Sequence, residues 1–191
     1  MRFNMGCGHR KLDGYINVDA SAECEPDEAI DLEVTPWPWP DGCASEIRFI
    51  HSLEHMGGDP KVFLAMMQEI YRIAAPGCEV AIQVPHPRHD NFINDPTHVR
   101  AITPKMMELF DRRLNDEVIR QGGSNSPFAR YLGVDFEVVR REAVVEEPYL
   151  SQFKSGEIDA ATGTRMIATM NNIAREYRIA LRVHKPVRTS G

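Results

Sequence analysis

The segment 47–84 leaves this chain few folds to choose from. Residues 47–50 (Ile-Arg-Phe-Ile) and 79–84 (Glu-Val-Ala-Ile-Gln-Val) read as continuous apolar runs, the pattern of strands buried on both faces of a parallel sheet. Between them, Asp59-Pro60 supplies an N-cap with proline at the first helical position. Val62-Phe63, Met66-Met67, Ile70 and Ile73 follow at helical spacing, and Ala75-Pro76-Gly77 stops the helix. Strand, capped amphipathic helix, stop and strand make a βαβ unit, so at least one pair of strands is parallel.

Around that unit, Arg2–Met5 and residues 15–18 and 29–32 read as further strands. Residues 134–145 and 177–184 alternate well enough to form two late strands, an antiparallel hairpin closing one edge of the sheet. Thr103-Pro104 opens a second amphipathic helix with Met106-Met107, Leu109 and Phe110 on its apolar side. Residues 157–172 have helical spacing through Ile158, Met166-Ile167 and Met170, with Gly163 against it, and 121–127 reads as a loop. The expected fold is α/β: a Rossmann-like, doubly wound, mostly parallel sheet in one domain over 1–191. Its core would span 1–111, and the late strands and lid elements 112–191.

The chain begins with an equally informative turn. Asn4-Met5-Gly6-Cys7-Gly8 joins the first strand to a glycine turn, and Asn17-Val18-Asp19 ends the second strand in a carboxylate. In a nucleotide-binding sheet the glycines let backbone approach a ligand, and the carboxylate accepts ribose hydroxyls. A tight turn needs glycine for its own reasons, so G-x-G alone decides nothing. The third glycine and following helix of G-x-G-x-x-G are missing, which weighs against a dinucleotide or nucleotide-sugar enzyme.

Composition removes several classes. At 191 residues, 42% hydrophobic and 26% charged, the chain suits one soluble globular domain. No apolar run approaches the roughly 18 residues of a membrane helix. Met-Arg-Phe-Asn leads straight into a strand and leaves no room for a signal peptide, so a cytoplasmic location is expected. A net charge of −6 argues against a general phosphate-binding surface and a nucleic-acid partner. Arg112-Arg113, Arg120, Arg130 and Arg140-Arg141 are interleaved with acids and read as a solvated face. Cys7, Cys24, Cys43 and Cys78 share no C-x-x-C spacing, which leaves buried, reduced thiols rather than a zinc or redox pair.

Taken in order, Gly6-Cys7-Gly8, Asp19, Asp31-Leu32, Trp37-Pro38-Trp39-Pro40-Asp41, His51-Ser52-Leu53-Glu54-His55 and Pro76-Gly77 resemble the class I S-adenosylmethionine-dependent methyltransferases over about residues 3–110. The resemblance implies S-adenosyl-L-methionine as cofactor. Backbone at Gly6, Cys7 and Gly8 would line its methionine part, Asp19 would hold the ribose hydroxyls with Ala20 beside the adenine, and Asp31 and Leu32 would border the adenine. His51 would sit at the methionine end. Two features depart from the pattern. Many family members have an acid where this chain has Asn4, and an amide can bond the cofactor's ammonium without a counter-charge. Residues 7–15 are too few for the usual crossover helix, which should shrink to a turn around 10–14. One sheet face would then lack cover, to be supplied by a partner subunit in a homodimer or by the C-terminal segment.

His86, His89, Asp90, Asp95 and His98 crowd into the polar loop 85–102. Three readings stand: a general base for a hydroxyl or amine acceptor, a metal orienting a chelating acceptor such as a catechol-like diol, or a structural lid. His89 and His98 are the first candidates for the base and His55 the third, while Glu54 is read as structural; no metal ligands are assigned. Trp37 and Trp39 either stack on a ligand or pack over the sheet edge. The expected activity is in-line transfer of a methyl group from S-adenosylmethionine to a small-molecule or sugar-like acceptor, driven mostly by proximity. The alternatives are a cofactor-binding or regulatory subunit of the same fold, and a nucleotide-sugar or dinucleotide enzyme on a similar sheet.

Overall fold

The structure is a computed structural model that describes residues 1–189. Seven strands, β1 (Arg2–Met5), β2 (Ile16–Asp19), β3 (Glu28–Ala29), β4 (Ala44–Ile50), β5 (Ala74–Pro85), β6 (Phe136–Val145) and β7 (Ala174–Val183), form one sheet in the order β3-β2-β1-β4-β5-β7-β6. The first five pair in parallel. β7 is antiparallel to both β5 and β6, so it alone is reversed. The chain thus winds outward from β1 in both directions and finishes in the expected hairpin, with β7 inserted beside β5.

Helix α1 (Pro60–Ile73) forms as its sequence dictates. The Asp59 carboxylate accepts the Lys61 N–H at 2.8 Å, and Phe63, Met66, Met67, Ile70 and Ile73 are buried on one stripe. That stripe meets Phe3, Met5, Ile47, Phe49, Val80, Ile82, Ile179 and Leu181 in one continuous core. Burial of each such side chain contributes about 1.5–3 kcal/mol. Trp37 and Trp39 belong to this core. The Trp39 ring lies 4.6 Å from that of Phe3, and the indole N–H groups donate to the Leu32 carbonyl (3.1 Å) and Glu28 (2.9 Å). Both are packing residues.

The expectation that β4 and β5 are buried on both faces is corrected by their alternation. Cys78, Val80, Ile82 and Val84 are buried, whereas Glu79 is exposed and Ala81 and Gln83 are half-buried. The same alternation puts Arg2, Glu46, Arg48 and Arg178 on the face opposite α1. There Glu46 pairs with Arg2 (2.9 Å) and Arg48 (2.6 Å), and Arg178 with Glu176 (2.8 Å). A face made of paired charges can meet water without an apolar cover.

The β1–β2 connection, residues 6–15, contains only turns, as its length requires. Two buried amides brace it. Asn4 Nδ2 donates to the Arg10 carbonyl and to Asn17 Oδ1, both at 2.9 Å, and Asn17 Oδ1 also accepts the Leu12 N–H at 2.8 Å. β3 is shorter than the predicted 29–32, because the Asp31 carboxylate accepts the Glu33 N–H (2.9 Å) and bends the chain away from the edge.

Beyond β5 lie α2 (Asp90–Ile93), α3 (Pro104–Met107), α4 (Arg112–Arg120), α5 (Phe128–Leu132), α6 (Tyr149–Ser155) and α7 (Ala160–Thr169). The sequence reading contains neither α4 nor α6. Only Asn115 and Asp116 of α4 are buried and no residue of α6 is, so no apolar stripe announces them. Four of the six arginines of the basic cluster are ion-paired: Arg112 and Arg130 with Asp116, Arg120 with Glu117, Arg141 with Glu108. No helix among the described residues is long and apolar enough to cross a membrane.

Candidate functional site

The carboxyl ends of β1 to β4 converge where the strand order reverses, the place where open α/β sheets bind ligands. A cleft of about 190 Å³ lies there, with Gly6, Asp19, Ala20, Asp31, Leu32 and His55 among its lining residues. Gly6 has φ +66°, and a Cβ on it would fall 2.5 Å from the Ser52 Cβ and 2.8 Å from the Met56 Cε. The Ser52 hydroxyl donates to the Met5 carbonyl at 2.7 Å, so the ends of β1 and β4 are clamped together at this glycine.

Asp19 closes the other side. Its Oδ2 accepts the Gly8 N–H (2.8 Å) and its Oδ1 the Ser21 N–H (2.9 Å). A carboxylate oxygen has two lone pairs, so each retains an acceptor site for a hydroxyl. Cys7 gives its N–H to the Val18 carbonyl at 2.9 Å; its thiol is buried, and burial raises its pKa. Ala20 and Asp31 are exposed at the rim and Leu32 is buried beneath them. A glycine turn, a strand-end carboxylate with free acceptor sites and an apolar floor thus stand together, and their chemistry fits an adenosyl group. Asn4 lies apart from them, since both Nδ2 hydrogens are committed to the turn beneath.

At the end of β4 the backbone of His51 is left-handed (φ +53°), a conformation that costs a non-glycine residue about 1–3 kcal/mol. His51 Nδ1 lies 3.6 Å from Glu54 Oε1, and Nε2 3.3 Å from Glu176. Glu54 sits on a 3-10 turn (Leu53–His55), is 1% exposed, and neither of its oxygens receives a hydrogen bond. The histidine loop folds back over it. The Val99 and Arg100 N–H groups both donate to the Glu54 carbonyl (3.0 and 3.1 Å), and the Arg100 guanidinium bonds the Gly57 carbonyl. His98 is thereby placed with Nε2 4.0 Å from Glu54 Oε1, and its ring stands 4.5 Å from that of His55.

No protein-family model matches this sequence, and no curated protein matches it. Solved structures do. The chain is similar to a SAM-dependent methyltransferase from Archaeoglobus fulgidus, with a TM-score of 0.59 and 17% identity over 94% of this chain and 84% of that one. It is similar to another from Methanosarcina mazei (TM-score 0.55, 11% identity, 95% and 91% covered). A third is the 16S rRNA (adenine(1408)-N(1))-methyltransferase from Catenulisporales acidiphilia, solved with its cosubstrate SAM (0.52, 13%, 98% and 87%). The chain has the class I S-adenosylmethionine-dependent methyltransferase fold.

On this methyltransferase fold the histidines of the loop divide into two groups. His86 is buried against Tyr177, 3.0 Å from its hydroxyl, and burial pushes its pKa down to about 4. His89 caps α2: its Nδ1 accepts the Asn91 N–H at 3.0 Å, which leaves the proton on Nε2, 3.1 Å from Glu146. Neither nitrogen of His89 has a free lone pair, so the sequence's first choice of base is held in a structural post. His55 and His98 differ. His98 Nδ1 faces the Phe92 carbonyl (2.9 Å), and His55 Nδ1 faces a Thr97 hydroxyl (2.9 Å) that itself donates to Asp95 (2.6 Å). Both rings therefore carry a hydrogen on Nδ1, and in the neutral ring the lone pair is on Nε2. The group sequence reasoning missed is Glu54. Its position between His51 and His55 was visible, but its burial depends on residues 97–100 closing over it.

Proposed function

We propose that this protein is an S-adenosyl-L-methionine-dependent methyltransferase acting on a hydroxyl or amine of a small-molecule or sugar-like acceptor. The observation that carries the reading is the cleft at the strand ends, where Gly6, Asp19 and Asp31 stand within one pocket that has His55 in its wall. Backbone at Gly6, Cys7 and Gly8 lines the methionine part of the cofactor, Asp19 accepts the ribose hydroxyls, and Ala20, Asp31 and Leu32 border the adenine. The cofactor supplies a methyl group already activated by its sulfonium, so the protein contributes mainly position and exclusion of water. His51 and the turn behind it fix the acceptor side. His55, exposed and with its Nδ1 hydrogen held at Thr97, takes the acceptor's proton on Nε2; His98 stands behind it. Asn4 supports this site from below as a positioning residue for the glycine turn.

A thermal-shift comparison of S-adenosylhomocysteine with NAD tests the reading. S-adenosylhomocysteine should raise the midpoint while NAD leaves it unchanged. Stabilisation by NAD alone would overturn the proposal in favour of a dinucleotide enzyme.

A further inference from the structure

We propose that Glu54, His55 and His98 form a binding site for one divalent first-row transition-metal ion, open on the side of the cleft to two oxygen atoms of a chelating acceptor. Three observations lead there. A buried carboxylate with no hydrogen bond is costly, and Glu54 has one at 1% exposure. The ring nitrogens nearest it stand outside hydrogen-bond reach, His51 Nδ1 at 3.6 Å and His98 Nε2 at 4.0 Å. With its Nδ1 hydrogen held at the Phe92 carbonyl, His98 turns Nε2 toward Glu54 Oε1, and Asp95 Oδ2 stands 3.8 Å from the same nitrogen. A cation held between Glu54 and His98 would satisfy the carboxylate and the Nε2 lone pair of a neutral His98 together. Finally, one ligand atom from each of Glu54, His55 and His98 lies within 4.8 Å of the other two.

The arrangement selects a metal over a proton. A proton on His98 Nε2 would stand between Glu54 Oε1 at 4.0 Å and Asp95 Oδ2 at 3.8 Å, both too long for a hydrogen bond. A metal at about 2.0–2.2 Å from each donor needs the three atoms to draw together by only about 1 Å. Ligating histidines donate their other ring hydrogen to a carbonyl or a carboxylate-linked group, which fixes tautomer and aim. Phe92 does this for His98, and the Thr97–Asp95 pair does it for His55. Two imidazoles and one carboxylate suit manganese, iron, cobalt or zinc, and three protein ligands leave positions open. His55 also lines the cofactor cleft, so an acceptor chelated there would present its oxygen beside the transferable methyl. Metal coordination would ionise that hydroxyl, its proton leaving to solvent, and His55 would then serve as ligand rather than base.

The chelated acceptor rests on the methyltransferase reading; the metal site does not. The test is calorimetric titration of chelator-treated, tag-free protein with Co²⁺, Mn²⁺ and Zn²⁺ separately, with visible absorption following Co²⁺. Wild type should take up one equivalent. Glu54→Gln, His98→Gln and His55→Gln should each weaken uptake by about 100-fold or more, and Thr97→Val by about 10-fold. His55 is exposed, so its variant reports on binding even where a buried substitution disturbs folding. Absence of one-equivalent uptake by wild type, or undiminished uptake by His55→Gln, would overturn the site. S-adenosylhomocysteine binding to the metal-free protein separates the two claims. Metal uptake without it overturns the methyltransferase reading alone, and the converse overturns the metal site alone.

Discussion

At Gly6 a methyl group would arrive 2.5 Å from the Ser52 Cβ, on a backbone whose φ of +66° already disfavours any side chain. Gly6→Ala is therefore expected to cost about 2–3 kcal/mol in urea unfolding, strain and overlap contributing together. Asn4 makes a sharper case. An acid is common at this place in the family the sequence resembles, yet here the side chain must donate twice, to Arg10 and to Asn17. A carboxylate donates nothing and would face the Arg10 carbonyl and Asn17 Oδ1 at a position only 1% exposed. Asn4→Asp should lower stability by about 2–3 kcal/mol without improving cofactor affinity, as denaturation and calorimetry would show. The role of Asn4 was not legible in the sequence, because it depends on Asn17 and on the path of a turn with no regular structure. The glycines and Asp19 were legible, because a positive φ and a strand-end carboxylate each leave a residue type behind.

Among the elements, those whose burial face repeats at a fixed period could be read, and those held by polar contacts could not. The stripe of α1 is the first kind, whereas β5 reads as an apolar run in which Glu79 and Gln83 mark an alternation that the run itself hides. Helix α4 is the second. Asp111 caps it by accepting the Arg113 and Leu114 N–H groups, and Asn115 ties it to α5 through the Ala129 N–H at 3.0 Å. Arg188 completes the arrangement, reaching Asp111 at 2.9 Å and the fully buried Asp135 at 2.7 Å. Burial alone would raise the Asp135 carboxyl, but hydrogen bonds from Arg188 and from the Arg112 N–H outweigh it and hold the group below the usual carboxylate range. A depressed folded-state pKa gives stability that is fully present above about pH 4 and is lost as pH falls through the lower, folded value. Arg188→Met should cost about 3 kcal/mol at pH 7 by leaving two buried carboxylates without their guanidinium. The same variant should lose less on acidification to pH 3 than wild type does, which urea titrations at the two pH values would measure.

For the molecule as a whole, the sheet presents one apolar face to α1 and one charged face to water, and its strand ends meet in a single cleft beside an unbonded carboxylate. The parallel half of this arrangement was written in short apolar runs and their spacing. The charged face is written there too, in Arg48, Glu79 and Gln83, which interrupt those runs. What local pattern does not contain is the closure of residues 97–100 over Glu54, a contact between segments more than forty residues apart. The central claim is that the Gly6–Asp19 cleft holds S-adenosylmethionine, and calorimetric titration with S-adenosylhomocysteine addresses it directly. Wild type should bind one equivalent, and Asp19→Asn should bind about 10- to 100-fold more weakly, the loss of charge-assisted hydrogen bonds to the ribose. No heat of binding to wild type, or equal affinity in Asp19→Asn, would contradict the account.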